Sequence, residues 1–231
     1  MTPEETRKKL NDITKGIMED IYKCESYYYI VKTISDNAIS INRDRNNFGL
    51  LFGTIQRGLN SSSLLAISRL YDRSNNRSKT RSLEGLLNFL EKNAENLPQI
   101  VEIHNLKKQL LLSKISIDYV FADNDMIGIN RRLINWLRTD FINRSEIRQR
   151  LKVIRDKRLA HNESVSGFDS PTWSELMELI ELAKTFLGII GWAYLNIAYK
   201  IDENYDLTND AKRPSMALTR LLSELKIIED H

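Results

Sequence analysis

Apolar residues along most of the chain recur at alternating steps of three and four, which is the period of an α-helix rather than of a β-strand. The first such stripe passes through Leu10, Ile13, Ile17, Ile21, Cys24, Tyr28 and Val31. Thr2 and Pro3 precede it, and this pair marks a helix start because Thr caps N-termini and Pro fits the first helical position. The pattern therefore predicts one long helix at the beginning of the chain.

The same period predicts further helices along the rest of the chain. They are expected at 46–72, from Ser82, after Pro98, at 130–139, from Asn143 through His161, from Ser170 and Pro171, and after the acidic turn at 202–210. Residues 113–129 are the least periodic and are interpreted as a connection. We predict an all-α, single-domain bundle of long antiparallel helices, with a helical domain at residues 1–205 and a C-terminal helical tail at 206–231.

Gly and Pro are scarce: the 231 residues include 9 Gly and 4 Pro, too few for a sandwich or barrel with many tight turns. Gly49, Gly53 and Gly58 fall in the second predicted helix, where we interpret them as small residues that let another helix approach closely. The one Cys, Cys24, excludes an internal disulfide framework and a Cys-rich zinc site, and it fits a reducing compartment such as the cytoplasm. The polar start of the chain lacks the pattern of a signal peptide, and the apolar run 185–199 is too short to span a membrane.

The net charge of +3 is unevenly distributed along the chain. Residues 131–158 carry a net charge of +7, and residues 43–81 carry +6. Basic segments of this kind indicate an anionic partner such as nucleic acid, whose phosphates they would neutralise. Arg-rich helices are equally typical of solvated surfaces, so charge alone leaves both interpretations open.

The basic segment ends in the residues that carry candidate chemistry, Arg155, Asp156 and His161. Arg offers a phosphate a forked set of donors, and His exchanges protons near neutral pH. On one ideal α-helix, Arg155 and His161 would stand about 9 Å apart along the axis and about 120° apart around it. They converge only if the helix breaks near Ala160 or if two copies meet across a two-fold axis. The second arrangement gives a cleft with two Arg and two His, which suffices for metal-independent attack of an RNA 2′-hydroxyl on the adjacent phosphorus.

The segment from Arg155 to His161 resembles the Arg-x(4–6)-His signature of the HEPN superfamily (higher eukaryotes and prokaryotes nucleotide-binding). Residues 65–72 and the helix start at Ser82 extend the likeness to the U-type abortive-infection (Abi) HEPN proteins. The resemblance implies an all-helical, HEPN-like domain that dimerises, with the motif at the dimer cleft. It also implies a metal-independent endoribonuclease that acts as a toxin or phage-defence effector, with Arg155 and His161 as catalytic residues and Asp156 as a supporting polar residue.

Further site residues are expected around this motif. We expect RNA contacts from Arg150, Lys157, Arg158 and Asn162. Arg69 and Asp72 stand three apart at the end of the second predicted helix and are expected to pair behind the catalytic residues. Neither a metal nor a cofactor is expected, and the expected partners are RNA, a second copy of the chain, and an antitoxin or other regulatory protein, without a membrane. HEPN toxins silenced by nucleotide transfer carry Tyr two residues after the His; here that residue is Glu163, which argues against such regulation.

Two alternatives to a ribonuclease remain open at the level of sequence. The first is a non-catalytic HEPN-like module that uses the same basic face to bind RNA, a nucleotide or a protein partner. The second is a structural helical dimer in which Arg155 makes a salt bridge, for example to Asp156 of its partner.

Overall fold

The computed structural model describes residues 1–43, 48–73, 81–122, 125–160, 170–201 and 204–228, without the side chains of residues 158–160. The helices are α1 (Pro3–Asp36), α2 (Ala38–Ile41), α3 (Gly49–Leu70), α4 (Leu83–Lys92), α5 (Ile103–Leu112), α6 (Ile117–Val120), α7 (Met126–Asn143), α8 (Ser145–Val153), α9 (Trp173–Ile190) and α10 (Asp206–Glu224). Two π-helical segments, Ile154–Ala160 and Gly191–Leu195, follow α8 and α9 directly. Of the residues that the structure describes, 78% are helical, which confirms the prediction of a single all-α domain.

α1 is the central helix, and its start is fixed by a capping box. The Thr2 hydroxyl accepts a hydrogen bond from the Glu5 backbone N–H at 3.2 Å, and the Glu5 carboxylate accepts one from the Thr2 N–H at 2.8 Å. An N-cap of this kind stabilises a helix by about 1 kcal/mol. The 34-residue helix then packs against α3, α10, α9 and α4, so the predicted long first helix is confirmed.

The core consists of one large apolar cluster and one small one. The large cluster joins the apolar faces of α1, α3, α4, α5, α7, α8 and α9. The small cluster contains Ile34, Ile41, Phe52, Leu222 and Ile227, and it joins α10 to α1, α2 and α3. α10 is therefore packed on the bundle along its length, while the division into residues 1–205 and 206–231 stays a prediction.

Several predicted helix boundaries were wrong by a few residues. Asn143 is the last residue of α7 rather than a cap, because α7 runs on to the short turn at Arg144. The cap of α9 is Thr172, which forms a capping box with Glu175. Ser82 does cap α4, by accepting a hydrogen bond from the Gly85 N–H at 3.1 Å. Part of the segment predicted as a connection is helical, in α6 and the first turn of α7, and a two-stranded antiparallel pairing of β1 (Lys200–Ile201) with β2 (Asn204–Tyr205) had not been predicted.

Gly53 and Gly58 of α3 do not serve the close helix packing that the sequence suggested, whereas a Cβ atom at Gly49 would collide with the side chain of Asn42 at the end of α2. A Cβ atom at Gly58 would have nothing within 4 Å, and one at Gly53 would meet only Arg57 of the same helix, at 3.7 Å. Leu51, Ile55 and Leu65 are exposed on the same side of α3. The stripe Leu51–Ile55–Gly58–Leu65 therefore faces outward in the single chain.

A buried ion pair connects three helices. The Nζ atom of Lys184 on α9 bonds to the Glu25 carboxylate on α1, and the Thr208 hydroxyl on α10 donates to the same carboxylate at 3.0 and 3.2 Å. The Lys184 side chain is 5% exposed and that of Glu25 is 0% exposed. Lys184 also bonds to the more exposed Glu181 at 2.7 Å. This cluster replaces apolar packing where α1, α9 and α10 meet.

Candidate functional site

Arg155 lies in the first turn of the π-helical segment Ile154–Ala160, immediately after α8. Leu151 and Ile154 are buried, which fixes α8 and the start of this segment against the bundle. The helix predicted through His161 continues to Ala160, but as a π-helix beyond Val153 rather than an α-helix, and His161 itself lies outside the described residues. A π-helix has i→i+5 hydrogen bonds and occurs frequently at functional sites. The spacing worked out for an ideal α-helix therefore does not apply beyond this point.

Two carboxylates hold the Arg155 guanidinium. Its Nη1 bonds to Oδ1 of Asp72, and its Nε and Nη2 lie 2.8 and 2.7 Å from Oδ1 of Asp156. The Arg155 side chain is 27% exposed, so the pair is accessible from solvent. A guanidinium has five N–H donors, and these contacts use at most three. Arg155 is thus oriented by carboxylates and retains donors for an anion.

Asp72 is placed by the end of α3. The preceding residue, Tyr71, is buried, donates a hydrogen bond from its hydroxyl to the Leu179 carbonyl at 2.5 Å, and stacks on Phe141 with ring centroids 5.9 Å apart. Burial raises the pKa of the Tyr71 phenol, so this hydroxyl is a donor and not an anion. Because Tyr71 is anchored in the core, the next residue, Asp72, is held where its carboxylate reaches Arg155. The two residues of this pair are 83 positions apart in sequence.

The expected pairing of Arg69 with Asp72 was wrong. Arg69 donates from Nε and Nη2 to the Asp20 carboxylate on α1, at 2.6 to 3.3 Å, while Asp72 bonds to Arg155. The Asp72 N–H still bonds to the Arg69 carbonyl at 3.4 Å in the turn that ends α3, but the two side chains are drawn apart, because each finds a partner of opposite charge on a different element. Asp72 touches the candidate catalytic Arg155, whereas Arg69 serves the contact between α3 and α1.

A cavity of about 870 Å³ opens beside Arg155, between the end of α3, the start of α4 and α8. Its walls include the cations Arg73, Arg148, Arg150, Lys152 and Arg155 and the carboxylates Asp72, Glu84 and Glu146. This volume lies in the range of ligand pockets. The excess of cations fits an anionic ligand.

Of the residues expected to bind RNA, Arg150 is committed to a structural pair. Its guanidinium bonds to the Glu175 carboxylate at the start of α9, and the Arg150 side chain is 16% exposed. This bond, followed by the hydrogen bond from the Thr172 backbone, holds the pKa of Glu175 at about 2. Lys157 is exposed and available. His161, Asn162, Glu163 and the side chain of Arg158 lie outside the described residues.

Arg148 and Lys152 line the cavity, although the sequence analysis did not select them. The Arg148 guanidinium carbon lies 3.8 Å from the centroid of the Phe141 ring, and Nη1 donates to the Phe141 carbonyl at 3.3 Å. Arg148, Lys152 and Arg155 follow one another at steps of four and three. That spacing is the signal that could have found them, because it places all three on one side of a helix.

The described residues contain neither a metal-binding cluster nor a membrane-spanning helix. They include no group of three or more His, Cys, Asp or Glu side chains that could hold a metal ion. Among the described helices, none combines the length and the apolarity that crossing a membrane would require. Cys24 is buried, and burial raises the pKa of its thiol, which makes it a poor nucleophile.

Comparison with known proteins supports the resemblance seen in the motif. Residues 7–215 match the model of a HEPN family described as AbiU2. No curated protein and no solved structure matches the chain. The matched range includes Asp72, the Arg148–Arg155 row and His161, and it extends into α10. Because the match covers most of its length, the chain belongs to the AbiU2 family of HEPN proteins, which is an abortive-infection family.

Proposed function

We propose that this protein is a metal-independent endoribonuclease that acts as a toxin or phage-defence effector, with Arg155 and His161 at a homodimer cleft. The observation that carries the proposal is the placement of Arg155 at the mouth of a basic cavity, oriented by Asp72 and Asp156 with donors remaining. An Arg fixed in this way is preorganised to bind a phosphate, and such preorganised donors contribute strongly to transition-state stabilisation.

The proposed reaction needs a base, an acid and a cation. A His161 imidazole removes the proton of the RNA 2′-hydroxyl, and the 2′-oxygen bonds to the adjacent phosphorus. The bond from phosphorus to the 5′-oxygen breaks, and the leaving oxygen takes up a proton from the acid, which in a two-fold cleft is the second His161. Arg155 stabilises the charge that develops on the phosphate oxygens. The products are a 2′,3′-cyclic phosphate and a 5′-hydroxyl.

The outward stripe of α3 supports the homodimer. Leu51 is 56% exposed, Leu65 41% and Ile55 37%, and Gly58 lies among them with open space beside it. Two parallel copies of α3, related by a two-fold axis along the helices, would place each Leu51 and each Leu65 against the same residue of the partner and would bring both copies of Asp72 to the same end of the interface. A two-fold interface has this self-complementary character. α3 also ends next to Asp72, so a partner on this face would stand near Arg155.

The test is RNA cleavage by the purified chain, by His161→Ala and by Arg155→Ala in the presence of excess chelator. We expect the natural chain to cleave RNA and to leave 2′,3′-cyclic phosphate ends, and both variants to lose cleavage while retaining their melting temperature within a few degrees. Cleavage by His161→Ala at the natural rate would overturn the assignment of His161. Complete loss of cleavage in chelator would overturn the metal-independent mechanism.

The second candidate is a module that binds RNA without cutting it. The ion pairs of Arg155 with Asp72 and Asp156 favour it, because they occupy up to three of the five N–H donors of the guanidinium within one chain. Fewer donors then remain to stabilise the charge that develops during cleavage. The same gel assay separates the two functions, since a binding module shifts RNA but leaves its length unchanged. A purely structural role for the pair predicts instead that Arg155→Ala lowers the melting temperature and that no RNA is bound.

A further inference from the structure

Arg148 differs from the other arginines of its region in how it is held. Arg144, Arg150 and Arg155 each have a carboxylate partner, in Glu178, Glu175 and Asp72. Arg148 has none within the described ranges, and its guanidinium instead stacks on Phe141 and donates one hydrogen bond to the Phe141 carbonyl. Glu84 lines the same cavity and favours the charged form of Arg148, but no ion pair joins the two side chains in the described part of the chain.

The stacking platform beneath Arg148 is rigid. Phe141 is 3% exposed and stacks on Tyr71, whose hydroxyl is bonded to the Leu179 carbonyl. An Arg stacked on an aromatic ring keeps its planar donor fork in one orientation and loses little further side-chain freedom when it binds a ligand. Tyr71, Phe141 and Arg148 thus form a layered support on one wall of the cavity.

The position of Arg148 is unfavourable without an anion. Burial lowers the pKa of its guanidinium, and the nearby Arg73 acts in the same direction, whereas Glu84 opposes them. Its Nε atom is buried and has no acceptor in the described part of the chain. A buried donor without a partner is destabilising, and more so when the group is charged. An anion in the cavity would offset the burial of the guanidinium charge.

Two cations of α8 and one cation of the π-helical segment that follows it line the cavity in sequence. Lys152 stands one turn beyond Arg148, about 6 Å along the helix axis, and Arg155 follows three residues later. All three line the same cavity. A row of cations at successive helical turns suits a ligand whose charges also repeat along a line, as in a nucleic-acid backbone. A single compact anion would use only one of these positions.

From these observations we infer that Arg148, with Lys152, forms a second phosphate subsite that binds the RNA phosphate next to the one held by Arg155. The inference rests on the proposed function in taking RNA as the ligand. Arg148 is a binding residue in this account and does not touch the reacting atoms. The subsite aligns the strand so that the scissile phosphate lies at Arg155.

The experiment measures RNA binding in the His161→Ala background with short oligonucleotides lengthened by one phosphate at a time at either end. We expect one added phosphate to give a step in affinity, and Arg148→Gln to remove that step with a loss of about 10- to 100-fold. The slope of log affinity against log salt should become shallower by about 0.7, as for one lost phosphate contact in a single strand. The matched control is Arg213→Gln on α10, which removes the same charge from a 78% exposed side chain and should change affinity less than twofold.

A second variant keeps the inference testable if Arg148→Gln unfolds the chain. Arg148→Lys preserves the charge and loses the stacked fork, so we expect it to retain the salt slope but to bind about 3- to 10-fold more weakly. Equal binding by Arg148→Gln and Arg213→Gln, each folded, would overturn the subsite. Equal competition for the site by a poly-glutamate peptide of the same charge would overturn its assignment to phosphate.

The outcomes separate this inference from the ribonuclease proposal. If the natural chain binds RNA in an Arg148-dependent way but never cuts it, the subsite stands and the ribonuclease fails. If the natural chain cuts RNA and Arg148→Gln has an unchanged KM on all oligonucleotides, the ribonuclease stands and the subsite fails.

Discussion

Replacing Lys184 by Met tests the buried cluster that joins α1, α9 and α10. The substitution removes one charge and leaves the Glu25 carboxylate, which is 0% exposed, with the Thr208 hydroxyl as its one donor among the described side chains. Removing one partner of a buried ion pair destabilises a protein by about 3–5 kcal/mol. In a domain of this size that loss lowers the melting temperature by about 6–20 °C. The loss in free energy of unfolding is measured by urea unfolding, and the lower melting temperature by thermal unfolding, both followed by circular dichroism.

Two further variants test whether the loss of stability comes from leaving the buried Glu25 charge without its partner. Glu25→Gln should cost less than Lys184→Met, because Lys184 keeps its bond to Glu181. The double variant Glu25→Gln/Lys184→Met has no buried charge and keeps an acceptor for Thr208, so its stability should recover to within about 2 kcal/mol of the natural chain. The reasoning is refuted if Lys184→Met changes the free energy of unfolding by less than 1 kcal/mol, or if the double variant is the least stable of the three.

Three other predictions concern the site and its surroundings. Asp72→Asn should reduce the kcat/KM of RNA cleavage roughly 10-fold, because it removes a charge-assisted bond that orients Arg155. The melting temperature should change little, and an unchanged kcat/KM would contradict the prediction. The pKa of Glu175 lies at about 2, below its usual 4.5, so its pair with Arg150 stabilises the fold above pH 4.5 and this stabilisation is lost as the pH falls from 4.5 towards 2. Arg150→Gln should therefore flatten that part of the stability–pH curve in urea unfolding, and a curve of unchanged shape would count against the pair. Gly58→Arg should convert dimers to monomers in analytical ultracentrifugation without loss of stability, since Arg has the higher helix propensity; dimers that persist would place the interface elsewhere.

Local signals in the sequence predicted the helix starts at Thr2 and Ser82. In both cases a side chain caps the backbone within three residues, so the information is contained in a short segment. The same logic was wrong at Asn143, because α7 continues through it to Arg144. Residues with good capping chemistry occur inside helices as well, and tertiary packing decides which of them ends one.

Several contacts of the site join residues that are distant in sequence, so spacing along the chain could not predict them. Asp72 and Arg155 are 83 residues apart, and Lys184 and Glu25 are 159 apart, so their pairing follows from how the helices pack. The motif identified Arg155 and Asp156, and Asp72 was expected near them with Arg69 as its partner. The structure pairs Asp72 with Arg155 instead and adds Arg148 and Lys152. The change to π-helical hydrogen bonding at Ile154 had no sequence signal, since the apolar period across it is that of an ordinary helix.

The measurement that tests the central claim most directly is RNA cleavage in excess chelator by the natural chain and by His161→Ala, with end-group analysis of the products. The account predicts cleavage with 2′,3′-cyclic phosphate ends for the natural chain and none for the variant, at equal melting temperatures. Intact RNA with the natural chain, or equal cleavage by the two proteins, would contradict it.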